Sequence, residues 1–224
     1  MSKRGPALRA DGRQPRQRTQ AHLDRLESIK EAATELFYTE GYAATDLRSI
    51  ADATNMHVSS LYNYISSKEE LLYLILKDGL SEIALAFDAA VASADDPIEQ
   101  LRAALRAHIA HHARRRHRAW TSHVEVRALT GERLAAILQL RDTYKAKWVA
   151  LVEQGVNEGQ FACPDPKLAV LYLLSAGQTV SRWYRPDGRV PADELAASMA
   201  EIALRGVLAR ADAPGSGQAA SEPA

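Results

Sequence analysis

The sequence predicts an all-α fold with an N-terminal three-helix domain and a larger C-terminal helical domain. Along most of its 224 residues, apolar side chains recur at the spacing of one face of an α-helix. Glycine, asparagine and Asp-Pro pairs separate these stretches where helices end or begin. The chain is rich in alanine and leucine, and aromatic residues make up only 6% of it. No stretch convincingly predicts a β-strand.

Domain boundaries follow from changes in pattern and composition. Residues 1–21 are basic, with Asp11 as their one acidic residue, and they predict a disordered tail. Such an arm is either solvated or in contact with nucleic acid, and both interpretations stay open. We assign residues 22–67 to the helix-turn-helix domain and residues 68–210 to the C-terminal domain. Residues 211–224 predict a second disordered tail, because they are small, polar and rich in Gly and Pro.

Charge, cysteine content and hydropathy narrow the class of protein. The formal net charge is zero, so the total charge indicates no particular partner. Cys163 is the single cysteine, which excludes an internal disulfide and fits a reducing compartment. No apolar run has the length of a membrane span, and no apolar segment follows the basic N-terminus as in a signal peptide. We therefore expect a cytoplasmic protein.

The first two predicted helices are marked by their ends. The first ends at Gly41, because glycine takes the left-handed conformation of a helix C-terminus without strain. Thr45 is a suitable N-cap for a short second helix, in which Ile50 and Ala51 face inward. That helix ends near Asn55, which also tolerates the left-handed conformation.

The next segment, HVSSLYNYISSKEEL from His57 to Leu71, combines β-favouring residues with a helical apolar pattern. Val58, Leu61 and Ile65 share one face of a helix, whereas on a strand Val58 would lie opposite the other two. The apolar spacing therefore predicts a short third helix.

A long fourth helix begins at Ser67, which has the capping-box spacing with Glu70. The remaining predicted helices run from Pro97 to the basic run Arg114–Arg118, from about Trp120 to Leu129, from Glu132 to Asn157, from Pro166 to Tyr184 and from Pro191 to about Arg210. The helix that starts at Pro166 is apolar on nearly every side, and the last helix carries closely spaced alanines. We expect these two helices to form a four-helix interface in a dimer, the alternative being a monomer with a buried central helix.

The second and third helices predict a helix-turn-helix motif, whose second helix enters the major groove of DNA. The residues that face outward on this helix offer hydroxyl and amide groups to phosphates and base edges: Ser59, Ser60, Tyr62 and Asn63. Arg48 reaches a phosphate or a guanine edge, and Lys68 at the start of the fourth helix suits a phosphate. The alternative for each of these residues is a packing or solvated role.

The stretch from Thr45 to Leu72, TDLRSIADATNMHVSSLYNYISSKEELL, resembles the N-terminal signature of the TetR/AcrR family of transcriptional regulators. The matching positions are Ile50-Ala51, Leu61-Tyr62, Ser67-Lys68-Glu69 and Leu71. Three positions depart from the signature: Asn55 for the glycine of the turn, His57 for the serine that begins the recognition helix, and Ile65 for a phenylalanine. The resemblance covers the first third of the chain.

This resemblance implies a dimer that binds a palindromic operator and is released by a small ligand held in the C-terminal domain. It also implies that Tyr62, Lys68 and the recognition helix contact DNA. Our predicted DNA-contacting residues are Thr45, Arg48, His57, Val58, Ser59, Ser60, Tyr62, Asn63, Tyr64 and Lys68. His57 either caps the helix or contacts DNA, and Tyr64 points either at DNA or into the core.

Polar and aromatic residues on inward-facing helices are the candidate ligand contacts: His108, His112, Trp120, His123, Tyr144, Trp148, Gln178, Arg182 and Trp183. His108 and His112 share a helix face at a spacing that also suits a metal. Because no acidic or cysteine partner accompanies them, we expect neither a metal nor another cofactor. The run Arg114–Arg118 is either a solvated helix end or a site for an anionic ligand such as a coenzyme A phosphate.

The function predicted is a ligand-responsive transcriptional repressor that is not an enzyme. The segment Val180–Pro186 resembles regulators of steroid and fatty-acid degradation, which implies a hydrophobic or acyl-CoA-type effector. One alternative is a metal-dependent enzyme that uses His108 and His112, although the chain lacks a nucleophile elbow, an HExxH motif and a phosphate loop. The other is an architectural DNA-binding protein without an effector.

Overall fold

The computed structural model describes residues 15–206 and forms two compact units that divide between Ile75 and Leu76. This part of the chain contains nine α-helices, a short 3₁₀ helix and no β-strand, which confirms the all-α prediction. The unit boundary lies within a helix, and not at residue 67 where the sequence places the domain boundary. Residues 1–14 and 207–224, which hold most of the two predicted tails, lie outside the described residues. No helix among the described residues is both long and apolar enough to cross a membrane.

The helices are α1 (Pro15–Thr39), α2 (Leu47–Ala53), α3 (Val58–Leu61), α4 (Lys68–Val91), α5 (Pro97–Arg114), α6 (Arg116–Val124), α7 (Gly131–Asn157), α8 (Pro166–Trp183) and α9 (Ala192–Gly206), with the 3₁₀ helix at Glu125–Ala128 between α6 and α7. Helix α1 begins at Pro15, so residues 15–21 are helical and not part of a tail. Proline suits the first turn of a helix, and the Gln, Arg and Ala residues that follow are good helix formers.

The C-terminal end of α2 agrees with the prediction from sequence, whereas its N-cap is a different residue from the one predicted. Asn55 takes the left-handed conformation after α2, with φ of +52°, as its position predicts. The N-cap of α2 is Asp46 and not Thr45: the Asp46 carboxylate accepts from the Ser49 amide at 2.7 Å. The Thr45 hydroxyl instead donates back to the Gly41 carbonyl at 2.9 Å, because Thr45 still belongs to the turn after α1.

The start of α4 carries the predicted capping interaction with one change of partner. The Glu70 amide donates to the Ser67 hydroxyl at 3.1 Å, which is the first half of a capping box. The Glu70 carboxylate accepts from the amide and the hydroxyl of Ser66, one residue earlier than the reciprocal bond of that motif. The chain is therefore fixed between α3 and α4 by polar contacts on both sides of Ser67.

In the second unit α5 is the central helix and packs against α7, α8 and α9. Its inward face contributes Leu101 and Leu105 to a core that contains the fully buried Trp148, which packs on Phe87 with ring centroids 5.0 Å apart. Helix α5 ends at Arg114 and α6 begins at Arg116, so the basic run forms the junction of two helices. Asp165 accepts from the Leu168 amide at 3.0 Å and caps α8, as the Asp-Pro signal predicts.

Candidate DNA-binding surface and ligand cavity

Helix α3 has one apolar face buried in the first unit and one polar face open to solvent. Leu61 is fully buried and Ile65, just beyond the helix, is 3% exposed, while Val58 is only half-buried. Tyr62 is 56% exposed, and Ser59, Asn63 and His57 are also exposed, with Ser60 partly so. The apolar spacing therefore orients α3 as expected, and its outer face presents hydroxyl, amide and imidazole groups.

His57 and Tyr64 answer two questions that the sequence leaves open. His57 occupies the N-cap position of α3, but its side chain makes no capping hydrogen bond and remains exposed. Its imidazole is therefore available for contact with a partner. Tyr64 is half-buried and stacks on His22 of α1, with ring centroids 4.5 Å apart. Tyr64 thus packs against α1 as well as bordering the polar face.

Thr45 and Lys68, two of the predicted DNA contacts, make hydrogen bonds within the first unit. Thr45 is 1% exposed, with its hydroxyl bonded to Gly41. The Lys68 ammonium donates to the carbonyl oxygens of Tyr42 at 2.7 Å and Thr45 at 2.6 Å, and it lies 4.3 Å from the centre of the Tyr42 ring. Lys68 therefore joins the start of α4 to the loop between α1 and α2. Arg48, in contrast, is exposed on α2.

The second unit contains a cavity of about 280 Å³ between five helices. Its lining residues are Gly79, Leu80 and Ile83 of α4, His108, His111 and His112 of α5, Arg118, Ala119, Ser122 and His123 of α6, Arg141, Asp142, Tyr144 and Lys145 of α7, and Leu171, Leu174, Ser175 and Gln178 of α8. Most of the exposed surface of the wall is apolar, although more than half of the lining residues carry a polar or charged group. This combination suits a small molecule that has both apolar and polar parts.

Five of the nine predicted ligand residues line this cavity: His108, His112, His123, Tyr144 and Gln178. The other four are not in its wall. Trp148 is fully buried in the core, and Trp183 is 52% exposed. Trp120 and Arg182 contact each other, with the guanidinium carbon 5.9 Å from the indole centre. Large aromatic residues at helical spacing serve here as core and surface, which sequence spacing alone does not distinguish.

His108 is held in one tautomer by two buried contacts. Its Nε2 lies 3.3 Å from the Leu174 carbonyl oxygen, which only accepts, so Nε2 carries the proton and donates. Its Nδ1 then accepts from the Tyr144 hydroxyl at 3.0 Å. Burial lowers the pKa of His108 to about 4, so the imidazole is neutral at pH 7. Burial also raises the pKa of Tyr144, which keeps its phenol protonated.

Two further histidines of α5 are neutral for the same reason. Burial, with help from Arg115 and Arg118, lowers the pKa of His111 to about 4. Burial and the neighbouring histidines hold the pKa of His112 well below its usual range, and neither of its ring nitrogens has a hydrogen-bond partner in the described part of the protein. No three His, Cys, Asp or Glu residues between positions 15 and 206 are grouped to hold a metal ion.

Three cationic residues lie in the cavity wall: Arg118, Arg141 and Lys145. Arg118 belongs to the basic run for which the sequence leaves an anion site open, whereas Arg141 and Lys145 were not predicted. Arg118 pairs with Glu82 across 2.6 Å and Lys145 with Asp142 across 3.3 Å. Arg141 donates to the carbonyl oxygen of Ser122. The sequence contained a signal for the two missed residues. Arg141 lies three residues before the predicted ligand residue Tyr144 and four before Lys145, so its side chain is close to both on the surface of α7.

Two family models match the chain. Residues 29–73 match the model of bacterial regulatory proteins of the tetR family, which covers α2, α3 and the start of α4. Residues 94–207 match the model of the tetracyclin repressor-like C-terminal domain, which covers the helices from α5 onward. The first match contains the exposed recognition surface, and the second contains most of the cavity wall.

Known proteins align over most of the chain. The HTH-type transcriptional repressor KstR2 of Rhodococcus jostii is 29% identical over 86% of this chain and 96% of its own length. The ketosteroid transcriptional regulator KstR2 of Mycobacterium tuberculosis has a similar structure, with a TM-score of 0.77 and 26% identity over 83% of this chain and 96% of that one. The structure of AibR in complex with isovaleryl coenzyme A and operator DNA is similar at a TM-score of 0.73 and 28% identity, over 80% of this chain and 97% of that one.

Proposed function

The chain belongs to the TetR family of bacterial transcriptional regulators, and on that premise we propose that it is a ligand-responsive repressor. It binds a palindromic operator as a dimer and leaves the DNA when a small hydrophobic or acyl-CoA-type effector occupies the cavity. The observation that carries this proposal is that the chain has the two features that such a repressor requires. One unit contains a solvent-exposed recognition helix, and the other contains a cavity of the size of a small-molecule site.

The polar face of α3 supports recognition of a DNA groove. Ser59, Ser60 and Asn63 offer short hydroxyl and amide groups near base edges, while the exposed Tyr62 hydroxyl can donate to a phosphate. The face carries no arginine, so base discrimination is expected to come from short polar side chains. Arg48 on α2 supplies a cation for the backbone.

An unpartnered apolar face supports dimer formation. Leu168 and Tyr172 of α8 are each more than half exposed, and Ile202 of α9 is 69% exposed. Exposed apolar residues grouped in this way mark protein–protein contacts. A two-fold dimer would present two α3 helices to two half-sites roughly 34–36 Å apart, which is one turn of DNA.

The cavity and the relatives support the effector class. A wall whose exposed surface is mostly apolar but which carries several polar side chains suits an apolar molecule with a polar end. AibR was solved with isovaleryl coenzyme A, and KstR2 of M. tuberculosis is described as a ketosteroid regulator. A ligand that binds a conformer unable to hold the operator shifts the population away from DNA, in proportion to its difference in affinity for the two states.

This function makes catalysis and a metal unnecessary, and it implies a cytoplasmic location, where bacterial DNA is found. The pair His108 and His112, on which an enzyme would depend, consists of buried neutral imidazoles, and His108 is already bonded to Tyr144 and Leu174. An architectural protein without an effector would have no use for the cavity.

The proposal is tested with the purified full-length protein and the DNA upstream of its own gene. We expect a footprint over an inverted repeat, an affinity that falls steeply with salt, and release by isovaleryl coenzyme A or a ketosteroid-derived acyl-CoA. A DNA fragment of the same length in which the inverted repeat is scrambled is the control for sequence specificity. Equal affinity for both DNAs would contradict sequence-specific repression.

A further inference from the structure

Arg141 is the one cation of the cavity wall for which the described residues provide no carboxylate. Its guanidinium donates to the Ser122 carbonyl oxygen, and no acidic side chain in residues 20–205 lies within ion-pair distance of it. Asp142 also lines the cavity, but its carboxylate lies against Lys145. A guanidinium has five N–H donors, so most of those on Arg141 remain available.

The other two cations of the wall differ in this respect. Arg118 is bonded to Glu82 and Lys145 to Asp142, so each positive charge has a negative neighbour. Partial burial lowers the pKa of Arg141 from its usual value, because the charged form loses hydration, yet an arginine stays protonated at neutral pH. The cavity thus holds a partly desolvated positive charge, which an anion would stabilise.

His112 provides a second, independent observation. It lines the same cavity, is 7% exposed, and has no hydrogen-bond partner for either ring nitrogen in the described part of the chain. Buried polar groups in folded proteins are nearly always hydrogen-bonded, and exceptions often mark a ligand site. A neutral imidazole offers one donor and one acceptor, which suits a carbonyl or hydroxyl group of a ligand.

We propose that the cavity takes a ligand with an anionic oxygen group that pairs with Arg141, while its apolar body packs on Ile83, Leu171 and Leu174 and a neutral polar group meets His112. This inference rests on the proposed function, since it takes the cavity as the effector site. A volume of about 280 Å³ is near the lower end of the range for small-molecule sites, which fits a compact organic acid but not a whole coenzyme A. The anionic oxygen is therefore a carboxylate of a free acid or a phosphate of an acyl-CoA whose nucleotide lies outside.

Calorimetric titration of the full-length protein without DNA tests this, with octanoate, octanoyl coenzyme A and 1-octanol as probes of equal chain length. We expect at least one anion to bind at least about tenfold more tightly than 1-octanol, because only the anion can form charge-assisted hydrogen bonds with Arg141. Tight octanoate binding identifies the carboxylate, and tight binding of the thioester alone identifies the phosphate. Absence of binding by both anions, or equal binding of octanol, overturns the inference.

Variants at Arg141 then test whether its positive charge binds the anion. Arg141→Met is expected to lose at least about tenfold in affinity for the anion and little for 1-octanol, and Arg141→Lys to recover part of it. Arg127→Met is the matched control, because Arg127 is exposed and outside the cavity wall. Octanol binding and the thermal unfolding midpoint report whether each variant is folded. An Arg141→Met protein that binds the anion like the Arg127→Met protein overturns the inference.

Operator binding in the same preparations separates the two proposals. If anions bind through Arg141 but never release the operator, the repressor mechanism fails and the anion site stands. If the anions release the operator equally well from the parent protein and from Arg141→Met, the repressor mechanism stands and the anion site fails.

Discussion

Gly177 of α8 is packed directly against the imidazole of His108 on α5. A Cβ atom placed on Gly177 would lie 2.3 Å from Cδ2 and 2.6 Å from Nε2 of His108, which is closer than non-bonded atoms approach. A movement of the imidazole would break hydrogen bonds, because its two nitrogens are bonded to the Tyr144 hydroxyl and the Leu174 carbonyl oxygen. The glycine therefore allows α5 and α8 to close over a polar group at the edge of the cavity.

Gly177→Ala should lower the free energy of unfolding by about 1–3 kcal/mol, because the methyl group displaces His108 or separates the helices. Urea unfolding followed by tryptophan fluorescence measures this. Gly79→Ala is the matched control: it also lies within a helix, but its new Cβ would meet Arg118 Cδ at 3.4 Å, an ordinary contact. The control should be neutral or stabilising by up to about 1 kcal/mol, from helix propensity. Equal loss in both variants would contradict the steric explanation.

The buried histidines predict that stability falls in weak acid. In the unfolded chain a histidine has a pKa of about 6.5, whereas burial lowers the pKa of His108 to about 4. Between these two values the unfolded state binds the proton and the folded state does not. The stabilisation is therefore complete above about pH 6.5 and is lost as the pH falls towards about 4.

Urea titrations at pH 7 and pH 5 measure this loss, to which His108 should contribute on the order of 1 kcal/mol. His108→Gln should show a smaller difference between the two pH values than the parent protein, whatever its absolute stability. His57→Gln, at an exposed position in the other unit, is the control and should keep the full difference. A parent-like difference in His108→Gln would rule out this histidine as the cause.

The positions where sequence patterns succeeded are those with local causes. Gly41 and Asn55 have positive φ, and Asp165 caps α8, because each signal acts within a few residues of the helix end it marks. The orientation of α3 was predictable because Val58, Leu61 and Ile65 can share a face only on a helix. Local geometry and apolar spacing therefore account for most of the fold.

The contacts that the sequence pattern did not predict join residues distant in sequence. Lys68 resembles a surface cation in sequence, but its carbonyl partners lie 26 and 23 residues earlier in the chain. His108 and Tyr144 were predicted as pocket residues, while Trp148 on the same helix as Tyr144 turned out to be core. Arg141 was missed because the absence of a neighbouring carboxylate is a property of the packed structure and not of spacing.

The two cations near α3 should differ in their effect on DNA binding. Each phosphate contact that is lost reduces the slope of log affinity against log salt by about 0.9. Arg48 is exposed and available to a phosphate, so Arg48→Met should weaken binding and reduce this slope. Lys68 is engaged by two carbonyls, so Lys68→Met should destabilise the first unit and weaken binding without changing the slope. Fluorescence anisotropy with a labelled operator at several salt concentrations distinguishes the two outcomes, and a slope reduced by Lys68→Met alone would show that its ammonium reaches the DNA.

Tyr62 should contribute to affinity more than to sequence preference, because a phenol that meets a phosphate reads no base. Tyr62→Phe removes only the hydroxyl from a residue that is 56% exposed, so the fold should be unaffected. We expect weaker binding by a similar factor for every operator variant tested. Asn63→Ala, on the same exposed face, should instead change preference at a single base pair by about 1–3 kcal/mol. A library of operators with single substitutions measures both, and a position-specific effect of Tyr62→Phe would mean that the hydroxyl contacts a base.

The exposed apolar face of α8 and α9 predicts which substitutions separate the subunits. Tyr172 is 59% exposed and Ile202 69% exposed, and in a two-fold interface each substituted position occurs twice. Tyr172→Lys therefore places two ammonium groups in one apolar contact, where neither has a counterion and both lose hydration. We expect sedimentation velocity to show a monomer for Tyr172→Lys and for Ile202→Lys, with an unchanged helical circular dichroism spectrum. Leu85→Lys is the control, because Leu85 is 69% exposed on α4, outside these two helices, and this variant should sediment as the parent dimer does. A monomer produced by Leu85→Lys but not by Tyr172→Lys would place the interface on α4. Loss of operator binding in the monomeric variants, with the α3 surface unaltered, would then show that both half-sites must be held at once.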